Sequence, residues 1–154
     1  MSGSMETTDL TGWAMSGERV LLDSDAFVGW LTVHDTHHER MVRLFETIKT
    51  RRVQLLTTNL VVSETATMLS YRQGQTQALQ FISLAVSVQT VMINDQLYQH
   101  TLDLFAKQER NKTSFVDMAN VVTVRELDIS WILSFDETYP RDFALTTYQS
   151  IVQL

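Results

Sequence analysis

The sequence predicts an α/β fold, a three-layer sandwich with a mainly parallel central sheet flanked by helices. Two observations carry this. Short strand-like runs alternate with segments of helical periodicity along the chain, and two of the runs end directly in an aspartate. At 154 residues the chain has the length of one domain, and alternation within one domain favours parallel strands joined by helical crossovers. In such sheets ligands bind in the crevice at the carboxyl ends of the strands, where both aspartates fall.

Taken in order, Arg19 to Leu22 is a short apolar run suited to a strand buried on both faces, and it ends in Asp23. Thr36 with Glu39 has capping-box spacing and precedes Met41, Leu44, Phe45 and Ile48 at helical intervals. Val53 to Thr57 reads as a second strand, and Asn59 suits the cap of a helix from Leu60 to about Tyr71 that Gly74 ends. Gln75 to Ala85 reads as a helix and Val88 to Ile93 as a β-branched strand. Asp95 is placed to cap a helix running to about Lys107, Ser114 to Leu127 is again helical, and Ile129 to Phe135 is a strand with Asp136 directly after it. Tyr148 to Leu154 reads as a short edge strand. The Ser/Thr/Gly-rich opening is set aside as a flexible segment over residues 1–18, with Met1 to Ser4 resembling a cloning remnant and the folded domain spanning 19–154.

Composition narrows the chemistry. With no cysteine there is no disulfide framework, no thiolate zinc site and no cysteine nucleophile, and a reducing compartment is expected. No apolar run approaches the roughly 20 residues of a membrane helix, so no membrane partner and a cytoplasmic location are expected. A net charge of −6 is unlike that of a general nucleic-acid coating protein. Basic residues are nevertheless clustered: Arg40, Arg43, Lys49, Arg51 and Arg52 are five of the twelve, and Lys107, Arg110 and Lys112 form a second group.

Four acids stand out. A carboxylate at a strand end is a common turn former or cap, so Asp23 or Asp136 alone carries little. Glu64 has Leu60 and Met68 as axial neighbours on a helix, and Asp117 is followed by Val121 and Val124 with Asn120 on the same side. A carboxylate facing a core boundary is costly unless it is paired, protonated or bound to a cation. Pairing of Glu64 with a distant basic residue and capping by Asp117, three residues after Ser114, are the plainer readings. Together the four acids suit magnesium or manganese, which prefer oxygen ligands and can clamp a phosphodiester while activating a water. Asp23, Glu64 and Asp117 are assigned as principal metal ligands, directly or through water, with Asp136 completing the set or orienting the water.

These blocks, Val-Leu-Leu-Asp23-Ser-Asp25, Val-Val-Ser-Glu64-Thr-Ala, Ser114-Phe-Val-Asp117-Met-Ala and Leu-Ser-Phe-Asp136-Glu-Thr-Tyr, resemble in order, context and separation the PIN-domain family. The likeness spans roughly residues 19 to 140 and is greatest to the VapC-type toxins of bacterial toxin–antitoxin pairs. It implies a PIN-like sandwich, a Mg2+- or Mn2+-dependent endoribonuclease acting on RNA, tRNA among the candidates, and a homodimer silenced by a small antitoxin protein. Ser114 matches a hydroxyl that family members place beside the third acid, which implies a supporting role. Asp25 departs from the pattern, standing where Ser, Thr or Asn is usual; it could strengthen metal binding or repel a phosphate. Arg40, Arg43, Lys112 and Arg141 are candidate phosphate contacts, each also readable as ordinary solvated surface.

Three competing readings remain. Leu-Leu-Asp23-Ser-Asp25 also resembles the haloacid-dehalogenase-like phosphohydrolases, with Asp23 as nucleophile and Asp25 as acid or base, although Glu64 is then unexplained. A catalytically silent PIN domain acting as a binding module is the second. A histidine zinc site is the third, since His34 and His38 have i, i+4 spacing, but the clustering of His34, His37 and His38 at a helix start favours solvent-facing side chains.

Overall fold

The computed structural model describes residues 17–152; the predicted N-terminal segment up to residue 16 and the last two residues of the predicted C-terminal strand lie outside them. Four strands, β1 (Arg19–Leu22), β2 (Gln54–Thr58), β3 (Gln89–Val91) and β4 (Trp131–Leu133), form one sheet in the order β3-β2-β1-β4. Every pairing is parallel, with Leu21 opposite both Leu56 and Ile132. Parallel neighbours require crossovers, and helices supply them: α1 (Ser24–Leu31), α2 (His38–Arg51), α3 (Asn59–Gln73), α4 (Gln75–Ala85), α5 (Asp95–Ala106) and α6 (Phe115–Glu126); α7 (Thr138–Phe143) and α8 (Tyr148–Ile151) follow β4.

The alternation of side chains along the strands divides the core into two. Val20, Leu22, Leu55 and Leu133 face a layer containing Phe27, Met41, Leu44, Ile48, Leu69 and Phe81 from α1 to α4. Leu21, Leu56 and Ile132 face the other side, against Met118, Val121 and Val124 of α6 and Tyr139 of α7. Both faces of β1 are thus dry from Val20 onward, which is why Val20, Leu21 and Leu22 are all apolar. Tyr139 and Tyr148 are fully buried.

Several local expectations are corrected. The capping box at Thr36 does not form: His37 is the N-cap of α2, and the carboxylate of Asp35 accepts the His37 amide at 2.8 Å, so the turn is closed one residue earlier. Thr58 rather than Asn59 caps α3, because the Asn59 side chain is drawn away to accept the Ile93 amide. Asn94 rather than Asp95 caps α5. Among the described residues the C-terminal edge strand is instead the short helix α8, with Thr147 bridging Ile132 in parallel; the Ser150 hydroxyl and amide both donate to the Thr147 carbonyl and close a turn there. Helices α1 and α7 went unread: α1 is capped by a residue needed for another purpose, and α7 is six residues long.

Candidate active site

The parallel sheet brings the carboxyl ends of β1 and β4 side by side, and the Asp23 amide donates to the Leu133 carbonyl at 3.1 Å. Asp23 is the N-cap of α1 and is buried. Both of its carboxylate oxygens have hydrogen-bond partners, two of them hydroxyls that also face other carboxyl groups. Oδ1 accepts from the Ser24 amide at 2.8 Å and from Asn120 Nδ2 at 3.2 Å. Oδ2 accepts from the Tyr139 hydroxyl at 2.9 Å and from Ser134 Oγ at 3.2 Å.

Tyr139 is the hub. Its hydroxyl lies 2.9 Å from Asp23 Oδ2, 2.9 Å from Asp117 Oδ1 and 2.9 Å from Asn120 Nδ2, which donates to it. A phenol has one proton to give. The phenol is therefore shared between the two carboxyl groups and donates to either one. Burial and then the charge of Asp23 push Asp117 up to about 7, against the lowering pull of the Tyr139 hydroxyl. Asp23 itself is raised by burial, against the opposing pull of its hydrogen bonds.

Asp25 closes the other side. Its Oδ2 accepts the Phe135 amide at 2.7 Å and lies 3.2 Å from Ser134 Oγ, so it ties α1 to the segment after β4. Its Oδ1 is buried without a hydrogen-bond partner among the described residues. Burial, followed by repulsion from Asp23, raises it to about 7. Ser134 is therefore shared between two carboxylates, and it also accepts the Asp136 amide at 3.1 Å.

Asp136 is exposed at the rim and accepts the Thr138 amide at 2.9 Å, opening α7. Asp117 is set in the first turn of α6, where Ser114 Oγ accepts its amide at 3.3 Å. Glu64 corrects the reading of a core-facing acid. The buried stripe of α3 is Val61, Thr65 and Leu69, whereas Glu64 lies with Leu60 and Met68 along a surface groove that Phe115 and Val116 also line. Glu64 is exposed, yet it is raised by partial burial and then by Asp23, and it hydrogen-bonds the Ser24 side chain. The four sequence-predicted acids are thus electrostatic neighbours at the strand ends: Asp23 and Asp117 share a phenol, and Asp23, Asp136 and Glu64 each raise Asp117.

Of the basic candidates, Arg40 lies over the Phe135 ring at 5.6 Å, Arg43 is an exposed residue of α2, and Lys112 and Arg141 line a small cavity with Asp117 and Asp136. Arg141 is already paired, donating to Asp142 through Nε and Nη2 at 2.9 and 3.0 Å. The histidines are dispersed in role: His34 is exposed, His38 Nδ1 is 2.9 Å from the Gly29 carbonyl, His37 stacks on Phe135 and His100 pairs with Glu126. Three residues of the site, Ser134, Tyr139 and Asn120, carried no role in the sequence reading. Asn120 had a local signal, one turn beyond Asp117 on the same face. Ser134 and Tyr139 stand inside the fourth motif block, but only the fold shows that they reach Asp23.

Comparison with known proteins now decides the family, since the PIN domain model matches residues 20–142. The chain belongs to the PIN domain family. This PIN domain is similar in fold to Mycobacterium tuberculosis VapC20, a sarcin-ricin loop cleaving toxin, with a TM-score of 0.72 at 21% identity over 80% of this chain and 95% of that one. It is also similar to VapBC2 from Rickettsia felis, solved bound to a DNA fragment from its promoter, with a TM-score of 0.65 at 10% identity over 84% of this chain and 96% of that one. No curated protein matches the chain significantly. Family membership places Leu-Leu-Asp23-Ser-Asp25 in a PIN domain rather than in a dehalogenase-like hydrolase. No helix among the described residues is long and apolar enough to cross a membrane.

Whether the site suits a cation is a question of donors. Among the described residues no three His, Asp or Glu side chains stand close enough to form a ready-made metal cage. Magnesium does not require one, since it is commonly held by one or two carboxylates together with water and substrate phosphates. The donor set is all oxygen, its carboxyls raise one another, and Asp25 Oδ1 and Asn120 Oδ1 are buried without partners beside it. The residues present therefore fit a hard divalent cation.

The raised carboxyls give a pH dependence. Asp25 and Asp117 stand near 7 in the folded chain against the ordinary carboxyl value of 3.8. Between those values the folded state keeps protons that the unfolded chain has released, so stability falls as pH rises through that window and levels off above it. In chelator, the melting temperature is expected to decline from pH 5 to 7.5, and Asp25→Asn is expected to flatten the decline. A profile that rises with pH would contradict the burial of these carboxyls.

Ser114→Ala tests how Asp117 is held. Loss of an N-cap costs about 1 kcal/mol, and at this chain length that lowers the melting temperature by roughly 2–4 °C. Unchanged stability would mean that the cap bond at 3.3 Å contributes nothing.

Proposed function

We propose that this PIN domain is a divalent-metal-dependent endoribonuclease, acting as the toxin of a toxin–antitoxin pair. The observation that carries the reading is the shared phenol: Tyr139 joins Asp23 to Asp117 at the end of the parallel sheet, with Glu64 and Asp136 on either side of them. Asp23, Asp117 and Glu64 would hold magnesium or manganese, with Asp136 at the mouth. A bound divalent ion supplies charge to a phosphodiester and lowers the pKa of water.

The chain's own groups define the rest. The four donors on Asp23 fix its carboxylate in one orientation, which is what a preorganised acceptor requires. Asp117 can hold or release a proton near neutral pH at the oxygen facing Tyr139. Ser134 and the Phe135 amide pin Asp25 away from the crevice mouth, which argues that this extra carboxylate shapes the site from behind rather than meeting the phosphate. Lys112 at the cavity rim is a candidate phosphate contact, whereas Arg141 must first release Asp142.

The VapC-like fold supports an antitoxin as partner and a homodimer as the assembled toxin. The decisive experiment is magnesium-dependent cleavage of total tRNA and of ribosomal RNA by the purified protein, with Asp117→Asn as control. Absence of cleavage with either metal, or equal cleavage by the control, would reject the nuclease reading and favour a silent binding module.

A further inference from the structure

Asp117 and Asp136 also border a small cavity of about 160 Å³ whose remaining charged lining is Arg110, Lys112, Arg141 and Asp142. That is well below the roughly 300–1,000 Å³ of pockets that enclose a whole small molecule, so it suits one charged group of a larger ligand. Asp142 stands between two of the cations. Its Oδ1 and Oδ2 accept from Arg141 Nε and Nη2 at 2.9 and 3.0 Å, and Arg110 Nη2 lies 3.5 Å from Oδ1. The Asp142 side chain is only 19% exposed, against 65% for Arg110 and 49% for Arg141. The acid is covered, while both arginine side chains still face solvent.

Local structure does not bring these groups together by default. Adjacent residues on a helix do not face each other, yet Arg141 and Asp142 are successive residues of α7 and meet in a two-pronged contact. Arg110 reaches the same carboxylate from the loop between α5 and α6, where Thr113 Oγ1 donates to its carbonyl at 2.9 Å and Lys112 takes a left-handed backbone with φ 64°. The planar fork of arginine binds a carboxylate and a phosphate in the same geometry. An exposed ion pair holds its members weakly, so a phosphate group can displace the Asp142 carboxylate at little cost. Seated on the two arginines, that phosphate shares one cavity with Asp117 and Asp136.

We infer that Arg110 and Arg141 form a subsite for one backbone phosphate of the RNA strand, and that the Asp142 carboxylate occupies this subsite until the strand displaces it. The inference rests on the ribonuclease reading and deepens it. Asp142 competes with the substrate for the same two guanidinium groups, so it sets how tightly RNA is held and how steeply binding falls with salt. Nothing in the sequence singled out Asp142, because its partner Arg110 lies 32 positions away and meets it only in the fold.

The test uses a fluorescein-labelled RNA octamer, with binding measured by anisotropy across a range of KCl concentrations. Chelator and the Asp23→Asn background keep the strand intact. Each phosphate newly neutralised on a single strand steepens the salt slope by about 0.7, which amounts to roughly 5-fold in affinity at about 0.1 M salt. Asp142→Asn is expected to show that gain. Adding Arg110→Gln or Arg141→Gln is expected to reverse it, whereas either arginine substitution alone changes binding little while Asp142 is in place. Octamers carrying one neutral methylphosphonate linkage at a time locate the contact, since the gain is expected to vanish at a single linkage. Asp142→Ser keeps an oxygen acceptor without the charge and serves as the second variant should Asp142→Asn melt. No gain in a folded variant, a gain that persists without the arginines, or one spread evenly over all linkages would overturn the subsite; the last two are what the loss of any negative charge would give. Cleavage of the same octamer by the parent protein with magnesium is read separately. An arginine-dependent gain without cleavage rejects the nuclease reading alone, and cleavage without that gain rejects the subsite alone.

Discussion

Asp23→Asn is expected to lower kcat/KM for RNA by about 10²- to 10³-fold or more, the loss typical when one preorganised electrostatic group is removed, while the protein remains folded. The reason for the second half is local. Asp23 is surrounded by four donors, two of which are hydroxyls. Ser134 and Tyr139 can turn to accept from a carboxamide, so the substitution need not leave an unmet polar group. It also removes a negative charge from a site where like charges repel. The melting temperature in chelator is therefore expected to equal or exceed that of the parent at pH 7.5. Asp117, now without its charged neighbour, is expected to titrate below about 7, readable by carboxyl NMR. A folded variant that cuts at the parental rate would remove Asp23 from the mechanism, and an unfolded one would make it a structural cap.

Tyr139→Phe is expected to have the largest effect on stability. The ring can stay in its buried place, but Asn120 loses one acceptor, and Asp23 and Asp117 lose the hydroxyl between them. Leaving buried polar groups unmet costs about 1–3 kcal/mol, which at roughly 2–4 °C per kcal/mol for this length is a fall of several degrees. Asp117 loses a hydrogen bond that lowers its pKa, so it is expected to titrate still higher. More magnesium is then needed to reach half-maximal cleavage at pH 7. If the magnesium requirement and stability are both unchanged, the phenol is a bystander.

Much of the architecture was legible locally. The strand cores Val20 to Leu22, Leu55 to Thr57 and Trp131 to Leu133 are short apolar or β-branched runs, and the helix Met41, Leu44, Phe45, Ile48 shows its buried face in its spacing. Caps were less legible, because an oxygen side chain near a helix start can be claimed by another segment, as Asn59 is by Ile93. Glu64 shows the same limit at the scale of a helix. Its neighbours are apolar, but the sheet contacts the stripe one residue away, and only packing decides which apolar stripe is covered.

By itself, the order of residues determined the parallel α/β sandwich and the family and singled out the four acids as candidates, because periodicity and short motif blocks are properties of contiguous sequence. Tertiary structure decided how those acids are wired. Tyr139 lies 116 positions from Asp23 and 22 from Asp117, and no local pattern encodes a hydrogen bond across such separations. The same is true of the stack of the His37 ring on that of Phe135. Burial energy folds the sheet, and the fold then brings distant polar groups to one edge, where their mutual charges set the chemistry.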